Sequence, residues 1–413
     1  MKKLLSLVLV LAMALSIALT FANAEETKTV VYWSMWEATE PQGVVLQQAA
    51  DAYAAATGVK VEIQFKGRTG IREGLEPALQ AGTVIDIFDE DVDRVNGTFA
   101  QYLLDLEELA KEANYEETAM PALVATARNV AGGTLKSIPY QPNVFNIFYN
   151  KAIFEEVGVT EVPQTWVEFL NACEKIKAGG YIPLTSDDAY IVSNFGYHLA
   201  RHIGEEGVIK VVKEGLFAEE PAVLKVAQAY EELFQKGYLS PTMGSNVWPT
   251  AQIQEIGMDE AAMYLNGSWL PNEILGTTGP EFQWGCMAYP AVEGGVDGTE
   301  AANYGAQVFA INNKSEVAKE AFDLIMYFVT GEYDALLSKE SVGIPSDVRN
   351  EEWPEMLLGV KDVLATLTTR YSWSAGAEAN PNITPAIKEN MQKLVSGSID
   401  AQGFVDALEA AFN

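Results

Sequence analysis

The sequence predicts an α/β fold built from two interrupted units, on three observations. Short apolar strands alternate with amphipathic helices along the 413 residues, the pattern of largely parallel sheets covered by helices. About 390 residues remain once an N-terminal targeting segment is set aside, more than one hydrophobic core usually organises. Breaks in the alternation near Ser137, Tyr304 and Gly343 carry no flexible linker. Two lobes joined by several crossings are therefore expected, not two beads on a string.

The targeting segment comes first in the chain. Lys2 and Lys3 form a positive start, Leu4 to Phe21 is almost unbroken apolar, and Ala22-Asn23-Ala24 is an A-x-A cleavage box. Residues 1–24 therefore read as a secretory signal peptide cleaved after Ala24. The apolar run approaches spanning length, but the box followed by Glu25 and Glu26 favours cleavage over an anchor. No cysteine lies near that site to carry a lipid, so a soluble periplasmic or extracellular protein is expected.

In chain order, Thr29–Trp33 predicts a strand and Val44–Thr57 a helix stopped by Gly58. Val59–Phe65 alternates as a second strand. After a turn at Gly67-Arg68-Thr69-Gly70, Ile71–Ala81 forms a helix stopped by Gly82. Ile85–Phe88 is the third strand, leading into an acidic turn, FDEDVDR. Runs of this kind are doubly wound, and their ligands collect beyond the carboxyl ends of the strands. Ser137–Asn150 reads as two strand-like segments broken by Pro142, and Lys151–Val157 as helix. Thr165 precedes Glu168 by three residues, the capping-box spacing. The second α/β unit runs to about Tyr289. Tyr304–Ile311 is another strand and Val317–Val329 a helix; Gly343-Ile344-Pro345 breaks the pattern again, before terminal helices Pro385–Ser396 and Ala401–Ala411.

The charge narrows the partners. Fifty-seven acidic residues stand against 27 basic ones, a net charge of −30, or −32 without Lys2 and Lys3. Such a chain repels nucleic acid and anionic lipid and suits a neutral or cationic small molecule, although solubility alone accounts for most of the carboxylates. Cys173 and Cys286, in a helix and a buried strand, are expected as two free thiols with no metal.

Motifs spread along the chain carry a resemblance. They are VVYWSMW (30–36), VIDIFDED (84–91), IPYQPNVFNIFYNKAIFEEVG (138–158) with VPQTWVEFLNACEKI (162–176), AAMYLNGSW (261–269) and AINNKSEVAKEAFDLIMYFVTGE (310–332). In this order they resemble the extracellular solute-binding proteins of ABC importers, in the carbohydrate-binding group that includes maltose-binding protein. The resemblance implies a two-lobed periplasmic-binding-protein fold of type II. Residues 25–140 plus 306–342 would form the N-terminal lobe, and 141–305 plus 343–413 the C-terminal lobe. About three crossings would join them around a cleft that closes on its ligand. It also implies delivery of a carbohydrate to a membrane permease driven by a separate ATPase; a monomer without cofactor is expected.

Sugars present apolar C–H faces and a rim of hydroxyls, so their sites combine aromatic platforms with planar polar side chains. Trp36 and Glu37 fall past the first strand at the expected lip of the cleft, and the resemblance puts Glu37 at a sugar-contacting carboxylate. Tyr32 and Trp33 are expected in the packed interior, and Glu40 at a helix start before Pro41. The resemblance puts Asp91 at a sugar-binding position with Asp89 beside it. Their spacing with Asp93 lacks the glycine and the final glutamate of a calcium loop. Arg68 can reach the cleft from its turn. Gln141 and Asn143 stand where the family presents a polar contact, Asn143 in place of a glutamate, which argues against malto-oligosaccharides. Asp188 and Tyr190 follow a second-lobe strand. Trp269 stands where the family uses a tryptophan as sugar platform, and one of Tyr371 and Trp373 is expected to face the cleft. Gly267, Pro142 and Asn150 are structural.

Two other classes are weighed. A secreted glycosidase would also pair carboxylates with aromatics, but no catalytic signature is present, so the chain is not expected to be an enzyme. The same fold could take a polyamine or other cation. His198 and His202, four residues apart, lack a third zinc ligand and are expected at the surface.

Overall fold

The structure, a computed structural model, describes residues 28–413; the signal peptide read over 1–24 lies outside them. Nine strands occur among the described residues: β1 (Thr29–Ser34), β2 (Lys60–Phe65), β3 (Ile87–Asp91), β4 (Ile138–Asn150), β5 (Ile182–Thr185), β6 (Ala261–Gly267), β7 (Trp284–Met287), β8 (Ala301–Ile311) and β9 (Thr369–Tyr371). The chain divides into two compact units. One runs to Pro139 and adds Gln307–Asp334; the other comprises Tyr140–Ala306 and Ala335–Asn413, so the chain passes between them three times.

In the N-terminal unit β1 lies between β2 and β3, parallel to both, and the end of β8 runs antiparallel to β3. Val30, Tyr32, Ile87, Phe88 and Phe309 are fully buried, with Tyr32 edge-on to Phe309 at 5.8 Å. Helix Pro41–Thr57 starts on proline and ends at Gly58 (φ 78°), as read. Two expectations change. The Gly67-Arg68-Thr69-Gly70 stretch is the first turn of helix Gly67–Gln80, not a separate turn, because Gly67 at φ 68° swings the chain straight into it. The acidic turn is also displaced: Asp89 and Glu90 lie inside β3, both fully buried. Periodicity missed this because the groups that satisfy these carboxylates come from other elements. Met35 N–H donates to Asp89, and Arg72 and Arg94 flank Glu90.

In the C-terminal unit, the two segments expected on either side of Pro142 are one thirteen-residue strand. Gln141, at φ 44°, absorbs the irregularity beside the proline, so the ladder continues. β4 pairs antiparallel with β6 and β7, and β5 runs parallel to β6. The sheets are thus mixed, not largely parallel. Asn150 caps helix Lys151–Glu156, and the Thr165–Glu168 capping box opens helix Trp166–Ala178. Cys173 and Cys286 are buried free thiols. His198, expected at the surface, is buried. It sits 4.3 Å from the Trp166 ring, with Nδ1 3.0 Å from the Tyr289 hydroxyl, and burial pushes its pKa down to about 3. Trp166 and Tyr289, brought in from other elements, enclose the histidine, which the patterning of its own helix could not show. Among the described residues no helix is long and apolar enough to cross a membrane.

Candidate functional site

The candidate residues form two groups, one in each unit. In the N-terminal unit, β1 ends at Ser34, whose Oγ accepts from the Tyr32 hydroxyl and from Trp36 N–H. This inward hydroxyl folds the chain so that Trp36 is only 5% exposed while Trp33 is half-buried, the reverse of the order expected. Both indoles carry cations of the chain itself. Lys66 Nζ lies 3.9 Å from the Trp33 ring centre, and the Arg68 guanidinium lies 4.7 Å from that of Trp36. Arg68 also pairs with Glu40 at 2.9 Å. The other Glu40 oxygen accepts Glu37 N–H, so Glu40 organises this turn instead of capping the helix with its side chain.

Glu37 itself is exposed and faces the bare backbone of Gly67, where a methyl group would lie 2.2 Å from its Oε1. Asp91 caps helix Val92–Thr98 through Asp93 and Arg94 N–H groups. Its carboxyl is raised above the usual range by burial and then by Asp93. Asp89 is occupied by Met35 N–H. Of the acids proposed here, Glu37 is the one whose side chain projects to solvent.

The C-terminal unit carries an aromatic platform. Trp269 follows β6, Tyr190 precedes helix Ile191–Glu214, and Trp373 lies in the loop after β9. The Trp269 and Trp373 rings are stacked, 6.4 Å apart and 24° from parallel. Phe145 of β4 supports all three, with centroids 5.4 Å from Tyr190, 6.0 Å from Trp269 and 5.3 Å from Trp373. Each indole is oriented by one hydrogen bond. Trp269 Nε1 donates to the Tyr190 hydroxyl at 3.2 Å, and Trp373 Nε1 donates to Glu378 at 3.0 Å. Burial pushes the Tyr190 phenol well above its usual range, so it remains a neutral donor.

Local backbone chemistry makes this platform possible. Gly267 leaves room for the neighbouring indole: a methyl there would meet three Trp269 ring atoms at 2.3 Å. Ser374 and Ala375 both take positive φ, which turns the loop sharply after Trp373. Trp373 is 39% exposed, whereas Tyr371 is fully buried with its hydroxyl between Arg201 and Asp297. Trp373 is thus the exposed member of that pair. Asp188 is paired with Lys388 at 2.7 Å and accepts Trp248 N–H; it braces the loop and does not join the rings. Gln141 donates to Ser341 Oγ at 2.7 Å, and Asn143 is half-buried two residues away.

Phe145, Glu378 and Lys66 escaped the sequence reading. Phe145 looked like any apolar strand residue; Glu378, five residues after Trp373, was the one with a findable signal.

Comparison with known proteins gives this geometry its context. The family of bacterial extracellular solute-binding proteins matches residues 37–340. The chain belongs to that family. This solute-binding protein is 27% identical over 360 residues to a multiple sugar-binding protein of Streptococcus mutans, covering 81% of each chain. Among solved structures it is similar to RafE of Streptococcus pneumoniae, with a TM-score of 0.75 at 18% identity over 95% of this chain and 98% of that one. It is also similar to a chitin oligosaccharide binding protein, with a TM-score of 0.69 at 19% identity over 93% and 98%. The fold is the two-lobed type II fold of these proteins.

Proposed function

We propose that this solute-binding protein captures a neutral sugar or oligosaccharide and delivers it to an ABC permease. The observation that carries the reading is the stacked Trp269–Trp373 pair, each indole held by its own hydrogen bond. Flat, pre-oriented apolar faces of this kind match the C–H faces of pyranose rings, and ordering them in advance lowers the entropy lost on binding. The relatives named for sugars support the same class. The polyamine alternative is less favoured in the N-terminal unit, where Lys66 and Arg68 each already cover one face of a tryptophan. The protein acts as a monomer without catalytic activity, exported through the segment at 1–24 and carrying no lipid.

The test is a thermal-shift screen of the mature chain against D-galactose, maltotriose, raffinose, N,N′-diacetylchitobiose and spermidine. A sugar at about one hundred times its Kd adds about 2.7 kcal/mol of stability, is recovered intact, and loses its effect in Trp269→Ala. Reducing ends released at enzymatic rates overturn the binding reading. A shift with spermidine alone overturns the sugar reading.

A further inference from the structure

A π-helical turn spans Ala251–Ile256, a distortion frequent at functional sites. Asp187 anchors it, accepting Ala251 N–H at 2.9 Å and the Tyr264 hydroxyl at 3.0 Å. The turn places Gln252, only 1% exposed, at the centre of an amide relay whose direction is settled. Asn266 Oδ1 accepts Gly267 N–H, so its NH2 group faces Gln252 and donates to Oε1 at 3.3 Å. The NH2 of Gln252 is thereby turned to Glu273 and donates to Oε2 at 3.0 Å.

Glu273 lies one helical turn beyond Trp269, its N–H donating to Trp269 O at 3.0 Å, and is exposed. An exposed glutamate rarely has a buried glutamine dedicated to it, since water satisfies it as well and leaves its rotamers free. Trp269 thus holds the Tyr190 hydroxyl at its ring nitrogen and Glu273 on the helical turn that follows it.

We propose that Glu273 is the specificity-determining acceptor of the platform. It takes a hydrogen bond from one hydroxyl of the sugar that the indole carries, with Gln252 as positioning residue. This rests on the sugar reading above. A carboxylate offers about four lone-pair directions, and the bond from Gln252 uses one of them and orients the group. Glu273→Gln presents a donor where the sugar hydroxyl needs an acceptor, because the Gln252 NH2 group keeps the new amide oxygen as its partner.

The experiment measures Kd by calorimetry for the sugar in the panel above that gives the largest thermal shift, and for its monodeoxy derivatives. In Glu273→Gln, Kd for the parent sugar rises about tenfold to hundredfold with Tm unchanged. The derivative lacking the hydroxyl read by Glu273 binds variant and wild type equally. Gln252→Leu raises Kd less and narrows the preference among deoxy derivatives. Wild-type affinity in Glu273→Gln, or an equal loss for every derivative, overturns the proposal while the sugar reading stands. No sugar binding by the wild-type protein overturns the sugar reading itself.

Discussion

Replacing Gly267 by alanine isolates the position of one indole from its presence. The added methyl would lie 2.3 Å from Cη2, Cζ2 and Cζ3 of Trp269, whereas carbon atoms settle at about 3.5–4.0 Å. The ring must therefore retreat by roughly 1.2 Å or more, carrying its Nε1 away from the Tyr190 hydroxyl. Overpacking of this kind costs about 1–3 kcal/mol of stability. The binding cost follows from the face that is lost: about 60 Å² of apolar contact at ~25 cal/mol per Å² is about 1.5 kcal/mol, a little over tenfold in Kd. Calorimetry with the panel sugar that stabilises the wild-type protein reads the affinity, and near-ultraviolet circular dichroism reads the indole environment. Gly276→Ala, with no atom within 4 Å of the new methyl, is the control and keeps wild-type affinity. If Gly267→Ala loses stability yet binds that sugar as tightly as wild type, Trp269 is not the platform. If neither stability nor affinity changes, the packing described for the indole is wrong.

Further outcomes follow from the same packing. His198 is neutral in the folded protein and titrates near 6.5 when unfolded, so its contribution is complete above pH 6.5 and declines toward pH 3. At pH 5 the loss from this group is about 2 kcal/mol; denaturant melts of His198→Gln are expected to show a correspondingly flatter pH dependence, with part remaining because burial lowers His202 as well. Glu378→Ala removes the acceptor shared by Trp373 Nε1 and Ser374 Oγ. It should raise Kd for the stabilising sugar several-fold and alter Trp373 fluorescence, with little change in Tm. Thr165→Ala deletes the capping-box oxygen that holds Glu168 N–H, lowering stability by about 0.5–2 kcal/mol in the same melts without changing sugar affinity.

The sequence by itself determined what local chemistry governs. The capping box at Thr165 and the left-handed stop at Gly58 are short-range backbone problems with few solutions, and each was legible from neighbouring letters. The ordered motifs, the alternation of elements and the aromatic candidates Tyr190, Trp269 and Trp373 were legible for the same reason: each occupies a strand end or turn visible in one dimension. Tertiary structure decided whatever depended on a partner far along the chain. Asp89, Glu90 and His198 are interior because groups 18 to 91 residues away satisfy or enclose them. Trp36 and Trp33 exchanged their expected exposures because the Ser34 hydroxyl and Asp89 together bend the chain after β1. Asp188 is paired with Lys388, 200 residues later, a contact that no local spacing announces. Burial and ion pairing are properties of the space around a residue, and that space is filled by segments that periodicity and spacing treat as unrelated.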